Sequence, residues 1–83
     1  EINNFVLYPN LNKGNFTILF KSSNNNDIRV FVCDMLGKKV YDKKFKNTHD
    51  INQLVQLNNV VEGVYIVTVE DGERKGVSKI IVN

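Results

Sequence analysis

The run from residue 64 to 82 reads VYIVTVE, then DG, then ERKGVSKIIV. β-branched and aromatic residues dominate the two flanks, and Asp71-Gly72 suits the two-residue type I′ turn whose twist matches paired antiparallel strands. Val64 to Glu70 and Glu73 to Val82 therefore read as a hairpin. With the turn at Asp71-Gly72, Ile66 is expected opposite Val77, Thr68 opposite Lys75, and Tyr65 opposite Ser78. A lone hairpin is marginal in water, so the rest of the chain must supply strands to cover its apolar face.

The remaining segments do so at the spacing of an all-β domain. Val, Ile and Thr number 22 and Phe and Tyr eight, while alanine, the best helix former, is absent. Phe5 to Tyr8 reads as a first strand, followed by a turn from Pro9-Asn10 to Gly14. In Asn15 to Phe20, Phe16, Ile18 and Phe20 share one face. The polar loop Lys21 to Asp27, centred on Asn24, Asn25 and Asn26, leads to Ile28 to Cys33. There Ile28, Val30 and Val32 face one way and Arg29, Phe31 and Cys33 the other. The turn Asp34-Met35-Leu36-Gly37 returns the chain into Lys38 to Lys46, where the differing parity of Val40 and Phe45 predicts a bulge or an early bend of an edge strand. Ile51, Gln53, Val55 and Leu57 alternate again, and Asn58 to Gly63 reads as a crossover. About seven antiparallel strands in two sheets, joined as a Greek key, account for this order.

Bulk properties narrow the function classes. The 83 residues form one domain, residues 1–83, which buries only about 60–65% of its unfolded surface, so a catalytic cavity would compete with the core for side chains. A net charge of +2 and a pI near 8.8 are too mild to argue for nucleic acid. The lone cysteine permits no internal disulfide. No apolar run reaches the roughly 20 residues of a membrane-spanning helix. The first residue, Glu1, follows no initiator methionine or leader, so the chain is expected to be a piece of a longer protein.

Candidate chemistry is sparse. His49 lies in the polar loop Asn47 to Asp50 beside a carboxylate, with no nucleophile placed by a motif, and reads as a surface residue. One Cys and one His cannot build a structural zinc site, and Asp27, Asp34 and Asp50 lack EF-hand spacing. No cofactor, metal or catalytic residue is expected, and the domain reads as a non-enzyme. Cys33 reads as a half-buried packing residue. Asn15-Phe16-Thr17 matches the glycosylation triplet, but on a strand. Lys38, Lys39, Lys43, Lys44 and Lys46 read either as an edge strand guarded by charge or as a cationic stripe facing an anionic surface. The terminal hairpin is apolar on both faces. Either a partner or preceding domain covers part of it, or its strands are central and lie under long side chains.

Taken in order, Tyr8-Pro9-Asn10, Asn12-Lys13-Gly14-Asn15-Phe16-Thr17, the run Asp34 to Tyr41, Gly63-Val64-Tyr65 and the closing Lys79-Ile80-Ile81-Val82 form a distinctive set. It resembles the C-terminal sorting domain of the type IX (Por) secretion system, type A, over Tyr8 to Asn83. The motif positions carried over are Pro9, Asn10, Gly14, Asp34, Gly37, Gly63, Tyr65 and Lys79. Leu11 stands where the family has a second proline, and Asn83 where a lysine or arginine is common.

The resemblance implies an immunoglobulin-like β-sandwich at the C-terminus of proteins secreted by Bacteroidetes. An upstream passenger would reach the periplasm, and the outer-membrane translocon would recognise this domain. A sortase-like cysteine protease would then remove it, with the passenger released or joined to anionic lipopolysaccharide. Gly14, Gly37 and Gly63 are expected to hold positive φ, Asp34 to cap its own turn, and the Tyr65 hydroxyl to find a partner. Lys79, Ile80, Ile81 and Val82 form the candidate docking segment, with Lys79 the direct contact. Self-association through open sheet edges is a further expectation. An adhesive or carbohydrate-binding β-sandwich, or a structural spacer, remains the alternative.

Overall fold

Phe16, Ile18 and Phe20 recur every second residue, which in an extended strand lines three large side chains along one face. A computed structural model of the chain describes residues 5–21, 27–46, 50–72 and 74–83, and it holds these three in a strand with all of them buried. That strand is β3 (Asn15–Lys21). The others are β1 (Phe5–Tyr8), β2 (Leu11–Asn12), β4 (Ile28–Cys33), β5 (Lys39–Phe45), β6 (Asp50–Gln56), β7 (Gly63–Asp71) and β8 (Arg74–Val82). No helix occurs among the described residues.

Two sheets result. The smaller has the order β1-β3-β6 and is antiparallel throughout; the larger has the order β2-β8-β7-β4-β5. Leu7, Phe16, Ile18, Phe20, Ile51 and Val55 of the smaller sheet share one buried cluster with Ile28, Val30, Val32, Tyr65, Val67, Val69, Ile80 and Val82 of the larger. Burying each such side chain contributes about 1.5–3 kcal/mol. The alternation in β4 and β6 is as expected from sequence: Ile28, Val30 and Val32 are buried, as are Ile51 and Val55, whereas Asn52 and Gln56 are exposed.

The bulge expected near Val40 is present. Val32 pairs with Tyr41 but Cys33 with Lys39, which leaves Val40 as the extra residue. Beyond it, β5 forms one edge of the larger sheet.

The hairpin register differs from the sequence expectation. Ile66 pairs with Lys79, Thr68 with Val77, and Tyr65 with Ile80, and the strands close on Asp71 and Arg74. Gly72, at φ +64°, therefore follows the closing pair as the first residue of the loop. Glycine satisfies the first loop position as well as the second, and closing one residue later lets the Arg74 guanidinium reach the buried Asp71 carboxylate at 2.9 Å. A slip of two residues keeps every side chain on its own face. The strand count also differs: there are eight among the described residues, because Leu11 and Asn12 add a short strand parallel to Ile81 and Val82. The expected features at Asn24 to Asn26 and at His49 lie outside the described residues.

Candidate recognition surface

The opening turn is built around Asn12. Its side-chain amide donates to the Pro9 carbonyl at 3.0 Å, and its Oδ1 accepts the buried Gly14 N–H at 2.7 Å. The Tyr8-Pro9 peptide bond is cis, and Gly14 stands at φ +105°. A Cβ at Gly14 would meet the Leu57 carbonyl oxygen at 3.4 Å, so the backbone passes close here as well as adopting a conformation that suits glycine. The turn's own backbone groups reach other strands. Ile81 N–H donates to the Asn10 carbonyl at 2.7 Å, Asn83 N–H to the Asn12 carbonyl at 2.9 Å, and Leu57 N–H to the Gly14 carbonyl at 2.7 Å. Sequence reading gives this turn one task, closing the β1–β3 hairpin. It also docks, through Asn10 and Asn12, onto the last strand of the larger sheet.

A second turn lies nearby. The Asp34 carboxylate accepts from Leu36 N–H at 3.0 Å and Lys38 N–H at 2.8 Å, while its backbone accepts from Gly37 N–H at 3.0 Å. Asp34 caps its own turn, as expected. Across from it, the buried Tyr65 ring sits at the start of β7, and its hydroxyl donates to the Val61 carbonyl at 2.7 Å. Asp34, Met35, Leu36, Val61, Gly63 and Tyr65 line an open depression of about 220 Å³. Gly37 and Gly63 take φ of +88° and +152°.

Val82 joins the opening turn to the start of β7, since it pairs with Gly63 on one side and with Asn12 on the other. Pro9, Asn10, Gly14, Asp34, Gly37, Gly63 and Tyr65, spread over more than fifty residues of sequence, therefore gather at one end of the molecule. Residues 6–83 match the family model of the secretion system C-terminal sorting domain. The chain belongs to that family. No curated protein matches it. The sorting domain acts as a type IX sorting signal: it engages the type IX machinery on behalf of a passenger exported across the outer membrane to the cell surface or beyond. The family is not one of enzymes.

The eighth motif position, Lys79, lies apart, on the outer face of the larger sheet. The candidate docking segment divides by parity: Lys79 and Ile81 are exposed, whereas Ile80 and Val82 are buried in the core. Side chains on the outer face fall into rows across the strands. Leu11, Ile81 and Val64 form the first; Lys79, Ile66, Cys33 and Lys39 the second; Val77, Thr68, Phe31 and Asp42 the third; and Lys75, Glu70, Arg29 and Lys44 the fourth. On the outer face of the hairpin Val77 and Ile81 are exposed, Val64 and Ile66 half-buried and Thr68 buried.

Charge on this sorting domain is organised around Asp42. Arg29 donates to both carboxylate oxygens, at 2.9 and 2.8 Å, Lys39 adds a bond at 3.1 Å, and Glu70 lies 3.6 Å from the same guanidinium. Both cations lie over the Phe31 ring, at 4.6 and 5.3 Å. The Arg29 and Lys39 hydrogen bonds hold the Asp42 carboxyl well below the usual carboxylate range. Part of the β5 lysine stripe is thereby paired within its own sheet. Cys33 is half-buried and free. Asn15 is exposed at the start of β3 with Thr17 half-buried. Among the described residues, no three His, Cys, Asp or Glu side chains are grouped to hold a metal.

Sequence reasoning passed over Asn12 as a site residue. The signal was present in Asn12-Lys13-Gly14, where an asparagine two residues before a glycine invites a side-chain bond to the glycine N–H.

Proposed function

We propose that the export machinery reads this domain as a folded surface, with the end that carries Pro9 to Gly14, Asp34 to Gly37 and Gly63 to Tyr65 as the recognised element. The observation that carries this reading is the junction at Val82, where motifs from both ends of the chain meet. An unfolded peptide would present none of that juxtaposition. Lys79 and Ile81 extend the surface onto the outer face of the larger sheet.

Within the same reading, residues 1–83 are one sorting domain without catalytic activity of its own, carried behind a passenger through the periplasm. A sortase-like cysteine protease then removes it, and the passenger is released or joined to anionic lipopolysaccharide. The fold is an immunoglobulin-like Greek-key sandwich. That assignment is supported by the Tyr65 hydroxyl bonded back to Val61 at the start of a strand that follows a crossover between sheets, the arrangement known as a tyrosine corner. Self-association through the β1 or β6 edges of the smaller sheet belongs to the proposal too.

The test is a reporter with an inner-membrane export signal at its N-terminus and residues 1–83 at its C-terminus, expressed in a type IX-competent strain and a translocon-deficient sister. Surface or medium localisation in the competent strain alone is expected. A folded reporter held in the periplasm of both strains would overturn the sorting role for this chain and favour an adhesive or spacer module.

A further inference from the structure

β8 is nine residues long and pairs with β7 along its whole length, but on its other side it meets only Leu11 and Asn12, opposite Ile81 and Val82. Among the described residues, no strand covers the rest of that edge. The direction of its open groups follows from the bonds already made. Ile81 and Asn83 send their N–H groups away from β7, to Asn10 and Asn12. The β7 register is unbroken, so by the two-residue period Lys75, Val77 and Lys79 present their N–H and C=O groups to the same open side.

The side chains of those three residues are exposed on the outer face, and among the described residues neither Lys75 nor Lys79 has an ion pair. The intervening inner positions are Gly76 and Ser78, the smallest side chains in the strand. The edge therefore reads cation, apolar, cation over an unpaired ladder.

We propose that β8 is a strand-addition site for an extended segment of a partner protein that alternates acid, apolar, acid on its outer face. Main-chain hydrogen bonds to Lys75, Val77 and Lys79 supply the pairing, and carboxylates opposite the two lysines set its choice and register. A second copy of β8 fits poorly. Antiparallel pairing centred on Val77 would put Lys75 of one copy against Lys79 of the other. Leu11 and Asn12 already occupy the far end of this edge, so the added strand continues a sheet position that the opening turn begins. The site deepens the docking role proposed above and rests on that role only for the biological identity of the partner.

The 83-residue chain, labelled with nitrogen-15, is titrated with the capped peptide Glu-Thr-Val-Thr-Glu and with its lysine counterpart, Lys-Thr-Val-Thr-Lys. Saturable amide shifts centred on Lys75, Val77 and Lys79 are expected with the acidic peptide, and at least tenfold weaker binding with the basic one. The double variant K75E/K79E is expected to reverse that preference. Val77→Pro removes one open N–H that the β7 ladder does not use, and with a native-like spectrum it is expected to lose the acidic peptide. Four results would overturn the site: shifts centred elsewhere, no preference between peptides, concentration-dependent dimerisation through β8, or binding only to phosphatidylglycerol vesicles, undiminished in Val77→Pro. In the reporter assay, normal export of folded Val77→Pro and K75E/K79E fusions would remove β8 from docking. Failure of the wild-type fusion with peptide binding intact would overturn the sorting role and leave the edge assignment standing.

Discussion

The Tyr65 hydroxyl donates to the Val61 carbonyl across four residues, at 2.7 Å, and so ties the crossover between the sheets to the start of β7. The ring is buried in the core, and the bond gives the crossover carbonyl a partner. Tyr65→Phe keeps the packing and removes that bond. A loss of about 0.5–1.5 kcal/mol is expected in urea unfolding. In a domain this small that corresponds to roughly 4–8 °C in Tm for each kcal/mol. Unchanged stability would mean that the crossover is held by packing alone.

Asn12→Ala should cost more, because it leaves the buried Gly14 N–H without its acceptor, 2.7 Å away. The expected loss is about 1–3 kcal/mol. Hydrogen exchange locates the damage: the Ile81 and Asn83 amides, which bond to the turn, should lose protection before the β7–β8 ladder does. Gly14→Ala, with φ at +105°, should act at the same place, and its effect should be less than additive with Asn12→Ala.

How much of this was legible in the sequence differs by element. Ile28, Val30 and Val32 announced their inward face because period two is written directly into the residue order. The hairpin was legible but its register was not, since closure after Glu70 and closure after Asp71 both leave Gly72 in the loop. The closure adopted brings Arg74 onto the buried Asp71 carboxylate, a pairing seen only in three dimensions. Strand β2 left no sequence signal, because two residues carry no alternation and their pairing depends on what β8 presents to them. Each motif position was visible alone. Their convergence was not, as it passes through Val82, which touches Asn12 and Gly63 only in the folded chain. Parity could have divided the docking segment from the start: once Ile80 faces the core, Lys79 and Ile81 cannot.

The Asp71–Arg74 pair closes the last hairpin with a fully buried carboxylate on one side. Asp71→Ala and Arg74→Ala should each destabilise the domain, the second because it takes a cation from a buried anion. The double variant should be less damaged than the sum, with a coupling of about 0.5–3 kcal/mol in a double-mutant cycle. Additive losses would show that the loop's backbone, not the ion pair, sets the register.

Acid should weaken the outer-face network in a defined window. Asp42 titrates well below an ordinary carboxylate because Arg29, then Lys39, donate hydrogen bonds to its charged form. The folded value is thus lower than the unfolded one, and the folded state binds fewer protons between them. The stability that Asp42 contributes is fully present above the unfolded value near ~4 and is lost as pH falls through the folded value. Asp42→Asn should therefore be less stable than the parent at pH 7, with the gap shrinking between about pH 4 and pH 2. The side chain is more than a third exposed, so the gap should be modest and should narrow in 1 M salt as well. Urea midpoints of the two proteins, measured across that range at low and high salt, check both trends. A gap that stays constant with pH would assign the effect of the substitution to packing against Phe31 and leave the charge of Asp42 without a part in it.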